Sequence, residues 1–234
     1  MEILQKHDIW KVFDEISPTY DFLNHLLSFG LDIHWRQKLK EFFPLGRNLQ
    51  ILDLATGTAD VLISLCADNP RVDKAFGIDL ADKMLSLGRE KIAQRHLEDK
   101  ISLQTADAHQ LPFGENIFDC VTIAFGIRNM EDPSRVFTET RRVLKKEGRA
   151  LILEFSLPKN KMWRLFYLFY LRKIVPFLGL IFSRHAQAYR YLNESVEDFP
   201  CGEKFRALME QTGFKKTAFY PLMGGVATIY AGEK

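Results

Sequence analysis

The stretch Leu49-Gln50-Ile51-Leu52-Asp53-Leu54-Ala55-Thr56-Gly57-Thr58-Ala59-Asp60 runs from an apolar segment through a turn of small residues into a helical pattern. The next apolar run, Ala75-Phe76-Gly77-Ile78-Asp79, ends in a carboxylate. A small-residue turn between a strand and a helix lets a ligand approach the backbone, and an acidic residue about 20 positions on can hydrogen-bond a ribose diol. The two segments together read as a nucleoside-binding site. A plain tight turn in an α/β domain is the competing reading, and the rest of the chain has to separate them.

Working outward, strand-like runs near Leu49 to Leu54, Lys74 to Asp79, Ile101 to Ala106, Phe118 to Phe125 and Arg149 to Phe155 alternate with amphipathic stretches. Those stretches, Ala59 to Ala67, Asp82 to His96 and Pro133 to Lys146, are long enough for crossover helices. The alternation predicts a doubly wound, mostly parallel sheet with right-handed crossovers and ligands bound beyond the carboxyl ends of its strands. Phe214 to Leu222 and Gly225 to Ala231 read as two further strands joined at Met223-Gly224-Gly225, making seven. An antiparallel C-terminal hairpin after five such units resembles the Rossmann-like pattern of class I methyltransferases. The whole chain, 1–234, is expected to form one domain, with a helical N-terminal region over 1–44 and an aromatic-rich insertion over 159–192.

The turn at Gly57 narrows the cofactor. Dinucleotide binding calls for G-x-G-x-x-G, which seats a pyrophosphate on a helix N-terminus; Asp53-x-Ala55-x-Gly57-x-Ala59 has a single glycine. S-adenosylmethionine has no pyrophosphate and needs no such cradle. Thr58, at the opening of the first crossover helix, reads as an N-cap and as a neighbour of the cofactor's carboxylate. Asp79 reads as the ribose ligand, with Asp82 capping the next helix. Asp107 and Ala108, at the end of the third strand, can meet an adenine edge through a carboxylate and a backbone N–H, although an Asx turn accounts for the same residues. Arg128 and Asn129 follow the fourth strand directly, where substrate chemistry is expected.

Other chemistries find little support. The chain carries 32 basic and 30 acidic residues, net +2, which argues against a nucleic-acid partner. Cys66, Cys120 and Cys201 form no C-x-x-C pair, which suits a reducing, cytoplasmic setting, and the N-terminus lacks the apolar region of a signal peptide. The six histidines show no metal-binding spacing, and no nucleophile elbow appears. The run from Met162 to Phe182 is apolar, but Arg164, Arg172 and Lys173 interrupt it and Pro176 with Gly179 break its helix, so it is not expected to cross a bilayer. It reads either as a core-packing helix or as a lid for a lipid-like substrate that touches the inner membrane face.

Three further groups of residues carry a resemblance. They are Tyr20-Asp21-Phe22-Leu23-Asn24-His25-Leu26-Leu27-Ser28-Phe29-Gly30 ahead of Trp35, Phe125-Gly126-Ile127-Arg128-Asn129, and Arg142-Val143-Leu144-Lys145 leading to Glu154-Phe155-Ser156. With Ala188-Tyr189-Arg190-Tyr191-Leu192 before Glu194-Ser195, they resemble the ubiquinone/menaquinone biosynthesis C-methyltransferase family over almost the whole chain, closest to its menaquinone branch. The resemblance implies C-methylation of a prenylated quinol, demethylmenaquinol to menaquinol, by S-adenosylmethionine. A benzoquinol acceptor, another methyl acceptor on the same scaffold, and a silent cofactor-binding scaffold are the alternatives, and a homo-oligomer is left open. Asp53, Gly57, Thr58, Asp79, Asp107 and Ala108 are then the expected cofactor residues; Arg128 and Asn129 are expected to stabilise the developing oxyanion, with Tyr189 and Arg190 closing the far side. Departures are Leu23 for the usual Met, Asp32 for the usual His, Lys146-Glu147 in a turn, and Ala124 where some members have Ser. No role resting on a histidine at position 32 carries over, and His34 faces elsewhere on a helix.

Overall fold

Strands of a parallel sheet covered on both faces are buried along their length, and the central apolar runs of this chain behave that way. The computed structural model describes residues 9–183 and 186–234, with the side chains of residues 18, 19 and 180–190 outside the description. Its strands are β1 (Leu49–Leu54), β2 (Val72–Asp79), β3 (Ile101–Thr105), β4 (Phe118–Ala124), β5 (Leu144–Phe155), β6 (Lys215–Leu222) and β7 (Ala227–Glu233). They form one sheet in the order β3-β2-β1-β4-β5-β7-β6, and only the pairings of β7 with β5 and with β6 are antiparallel. The seven-stranded sheet with its C-terminal antiparallel pair is the one expected.

Helices α1 (Ile9–Leu27) and α2 (Leu31–Lys38) precede β1; α3 (Asp60–Cys66), α4 (Asp82–Gln94) and α5 (Pro133–Val143) accompany the parallel strands. α6 (Lys161–Phe169), α7 (Val175–Ser183), α8 (Ala186–Asp198) and α9 (Glu203–Gln211) follow β5. Side-chain alternation splits the core. Ile51 and Leu151 join Trp35, Leu62 and Leu65 on one face, while Leu52 and Ile152 join Phe137, Phe205 and Tyr230 on the other. A third cluster, Leu23 with Tyr167, Leu171, Val175 and Val196, fastens α1 to the inserted helices.

Two boundaries differ from expectation. α5 stops at Val143 and β5 begins at Leu144, because a register shift opposite Phe118 and Cys120 absorbs the turn around Glu147, whose φ is 63°. The inserted segment is not broken at Pro176 and Gly179: α7 runs through both, with proline in its first turn where a missing N–H is tolerated. The interruption lies earlier, in a π-helical turn at Tyr170–Ile174. Among the described residues no helix is long and apolar enough to cross a membrane.

Candidate active site

β1 is flanked by β2 and β4, so the strand order reverses beside it and opens a crevice at the carboxyl ends. The loop above β1 is built on left-handed residues, Ala55 (φ 52°), Gly57 (φ 55°) and Ala59 (φ 64°). Two alanines in that region store strain, which neighbouring contacts must hold. The Gly57 N–H donates to Asp79 Oδ2 at 2.8 Å, and the Ala81 N–H donates to Asp79 Oδ1 at 2.9 Å. Asp79 thereby ties the β1 loop to the β2 loop, and burial pushes its carboxyl up against the pull of those amides. A Cβ on Gly126 would fall 2.6 Å from Ala55 Cβ, so only glycine lets the loops after β1 and β4 meet.

These loops enclose a cavity of about 220 Å³ lined by Gly57, Asp79, Asp107 and Ala108, with Ile78, Leu80 and Met84 as apolar walls. Asp107 forms the Asx turn: its Oδ1 accepts the His109 N–H at 2.9 Å and pairs with His109 Nδ1 at 2.7 Å. Burial works against the charged form, but those contacts hold the Asp107 carboxyl below its ordinary value. Oδ2 takes neither bond.

Asp53 and Thr58 stand outside the lining. Asp53 is buried beneath the loop and accepts from Thr122 Oγ1 at 2.5 Å; burial raises its carboxyl to about 7. Thr58 caps no helix, because Ala59 occupies the cap position of α3 without a side-chain bond. Its hydroxyl donates to Asp21 Oδ1 at 2.7 Å, and Lys91 Nζ reaches Asp21 at 2.9 Å and also pairs with Asp60. This cluster clamps α1 onto the cofactor loop. Asp82 likewise is the first residue of α4 with Ala81 at the cap, and it accepts from Thr105 instead.

A second cavity, of about 490 Å³, lies between α1, α2 and the inserted helices. Ile9, Phe13, Tyr20, Phe125 and Asn129 line both cavities, so the two share a wall. Arg128 lines only the larger one. Its Nη1 donates to Glu154 Oε1 at 2.6 Å and to the Phe125 carbonyl at 2.6 Å, and the guanidinium lies 5.3 Å from the Phe155 ring centre. The pair is sealed from solvent, with side chains 6% and 1% exposed, and burial pushes the Glu154 carboxyl up against the pull of Arg128. Arg128 Nε, Asn129 Oδ1, Tyr167 OH and Tyr191 OH are buried without hydrogen-bond partners in this wall. Tyr189 and Arg190 belong to α8, and their side chains lie outside the described residues. Glu154, the buried partner of Arg128, leaves a visible signal in the sequence, a lone carboxylate in the run Leu151-Ile152-Leu153-Glu154-Phe155.

The carboxylates of Asp79 and Asp107, Ala108 and apolar walls meet in one cavity beside a loop with no pyrophosphate cradle. With the strand order β3-β2-β1-β4-β5-β7-β6, the fold is that of a class I S-adenosylmethionine-dependent methyltransferase. The fold agrees with solved structures: a SAM-dependent methyltransferase of Thermotoga maritima superposes with a TM-score of 0.67 at 17% identity, covering 96% of this chain and 99% of that one. The sequence matches the ubiE/COQ5 methyltransferase family over residues 1–234, and the chain belongs to that family. Among its relatives are the ubiquinone/menaquinone biosynthesis C-methyltransferase UbiE of Geotalea uraniireducens, 44% identical over 97% of this chain and 96% of the relative. The demethylmenaquinone methyltransferase of Thermus thermophilus is 42% identical over 95% and 100%. The cofactor is S-adenosylmethionine.

Proposed function

We propose that the protein methylates a ring carbon of a prenylated quinol, demethylmenaquinol, to give menaquinol. The observation that carries this is the shared wall at Phe125 and Asn129, which sets a nucleoside-sized cavity holding the Asp79 and Asp107 carboxylates directly against a larger apolar chamber. The names of the relatives, demethylmenaquinone methyltransferase in Thermus thermophilus above all, favour this acceptor.

S-adenosylmethionine supplies an electrophilic sulfonium methyl when bound. Asp79 and Asp107 are proposed to hold its ribose and adenine edges, with the Ala108 N–H as a backbone contact and the Gly57 turn, whose own N–H is spent on Asp79, letting the ligand approach the backbone. The chain's remaining task is alignment and exclusion of water, which together account for several kcal/mol of a barrier of this kind. An oxidised quinone is electron-poor at the ring carbon, so the quinol is the acceptor, and its carbon becomes nucleophilic as a ring hydroxyl loses its proton. Arg128 sits where its unpaired Nε–H can stabilise the charge that develops on that oxygen, with Nη1 fixed by Glu154. Asn129 lines both cavities, which supports a role for it where donor and acceptor would meet.

The apolar chamber suits the ring and the first isoprene units. Phe29 (78% exposed) and Phe166 (61%) line it yet face solvent, and so mark its opening. Exposed Met162, Leu165, Phe169 and Phe177 continue that surface between Arg164, Arg172 and Lys173, a pattern that fits transient seating on an anionic bilayer while the tail enters.

Mass spectrometry of a short-tailed demethylmenaquinol incubated with the protein and S-adenosylmethionine tests the reading. A gain of one methyl under reducing conditions and none under oxidising ones is expected. Preferential methylation of a benzoquinol would move the acceptor, and cofactor binding without turnover on any quinol would overturn the assignment.

A further inference from the structure

A phenolate is an ambident nucleophile: the same negative charge can attack through oxygen or through the ring carbon beside it. The methyl transfer proposed above therefore has two outcomes. In one, the donor's carbon–sulfur bond breaks with its electron pair left on sulfur, a carbon–carbon bond forms from the ring's π electrons, and the ring carbon then sheds its hydrogen as a proton. In the other, an oxygen lone pair forms the new bond, the hydroxyl proton having already left, and the product is a methyl ether. Hydrogen bonds to the oxygen decide between them, because a lone pair held by a donor is withdrawn from attack while the ring carbon stays free.

Four tyrosines line the acceptor chamber among the described residues, Tyr20, Tyr167, Tyr170 and Tyr191, and they are of two kinds. Tyr20 is hydrogen-bonded to Asn24, and Tyr170 donates to the Leu27 carbonyl at 2.6 Å. Tyr167 of α6 and Tyr191 of α8 have buried hydroxyls with no partner among the described residues, and Arg128 Nε is in the same condition. Tyr167 as a whole is 7% exposed. The charges of Arg128 and Glu154 act on both hydroxyls, which sets them beside that pair, and burial pushes both phenols up, so they remain protonated donors. A buried donor without a partner costs free energy, and phenylalanine would fill the same space without that cost. Donors from the loop after β4, from α6 and from α8 thus face one chamber with nothing of the protein's own to receive them.

We propose that Tyr167 and Tyr191 join the Nε–H of Arg128 in sheathing the acceptor oxygen next to the reacting carbon, so that the methyl group is delivered to carbon and not to oxygen. The inference rests on the quinol reading above. A phenolate oxygen offers about three lone-pair positions, and the wall sets three donors against them. The inserted helices then do more than enclose an apolar tail: α6 and α8 each bring one of the groups that choose which atom is methylated.

The test compares wild type with Tyr167→Phe, Tyr191→Phe and the double variant on reduced short-tailed demethylmenaquinol. Ring-methylated quinol and methyl ether are told apart by the proton shift of the new methyl group. Wild type is expected to give the ring-methylated product alone. Each single variant should lower kcat by about 10-fold or more, as loss of one hydrogen bond to a charged oxygen does. Methyl ether should appear in the single variants and make up a larger share in the double one. Melting temperature and affinity for S-adenosylhomocysteine should hold at wild-type values, because the lost hydroxyls bond nothing in the free protein. Apart from turnover, calorimetry with a short-tailed prenyl-1-naphthol and the matching prenylnaphthalene, which differ only in the oxygen, should show a preference of about 10-fold for the naphthol in wild type and its loss in the double variant. Absence of any methylated product with wild type would overturn the quinol reading and the sheath with it. Wild-type turnover combined with a double variant that keeps its kcat, product and naphthol preference would overturn the sheath alone. A slower double variant that still yields only ring-methylated quinol would overturn the choice of atom, and one that also melts lower would reduce the two hydroxyls to structural groups.

Discussion

The two cavities share a wall but are built by different means. The smaller one is made of loops at the ends of β1, β2, β3 and β4, and its polar contacts are backbone N–H groups gathered by Asp79 and Asp107. The larger one is made of the helices that precede β1 and those inserted after β5, and its polar wall is a set of side chains, Arg128 with Glu154 and Asp32 with His25, Ser28 and Arg36. A site held by backbone geometry tolerates changes in side chains so long as φ values survive. A site held by buried charges depends on every member, because removing one partner leaves the other without compensation.

The strongest break of this comparison is Arg128→Ala. It should destabilise the fold by about 3–5 kcal/mol in denaturant titration, since Glu154 is left buried without its cation. Arg128→Met/Glu154→Leu should recover much of that stability while methyl transfer stays lost. Wild-type kcat in this double variant would show that the pair is scaffold only. On the other side of the wall, Asp79→Ala removes the acceptor of two loop amides. Calorimetry with S-adenosylhomocysteine should register a loss of affinity on the order of 100-fold, about 2.7 kcal/mol, because the proposed ribose contacts go and the loops that Asp79 holds together are released. Affinity for the quinol should hardly change.

Asp53 gives a pH-dependent contrast beneath the loops. Its folded value, about 7, lies above the ordinary carboxylate value, so its stabilising share is complete at acid pH and is lost as pH rises through about 7. Melting temperature should therefore fall more steeply across that range in wild type than in Asp53→Asn. A slope identical in both would disprove the assignment. The smallest effect on stability belongs to Phe169→Ser on the exposed face of α6, within about 0.5 kcal/mol. That variant should nonetheless bind anionic vesicles more weakly in co-sedimentation, with cofactor affinity intact.

Legibility in the sequence follows the same division. β1 was readable to the residue, and Gly57, Asp79, Asp107 and Ala108 lie together on one cavity because a strand–turn–helix unit fixes its own geometry within a few residues. Thr58 and Asp82 were misread as caps: a polar residue near a helix start is a good statistical cap, but left-handed Ala59 and extended Ala81 set the entry angle here. The break expected at Pro176 failed because proline costs little in a first turn. The contacts Arg128 with Glu154, His25 with Asp32, and Asp21 with Lys91 were invisible because they join elements that only the finished fold brings side by side.

α1 is the roof of both cavities, through Ile9, Phe13 and Tyr20. It is fastened by Asp21 to Thr58 and Lys91, by Asp14 to the Lys83 N–H, and by the Leu27 carbonyl to the Tyr170 hydroxyl. Donor and acceptor sites are therefore coupled through one helix: loosening any of these fasteners disturbs the walls of both cavities at once, even though the larger chamber keeps its own opening at Phe29 and Phe166.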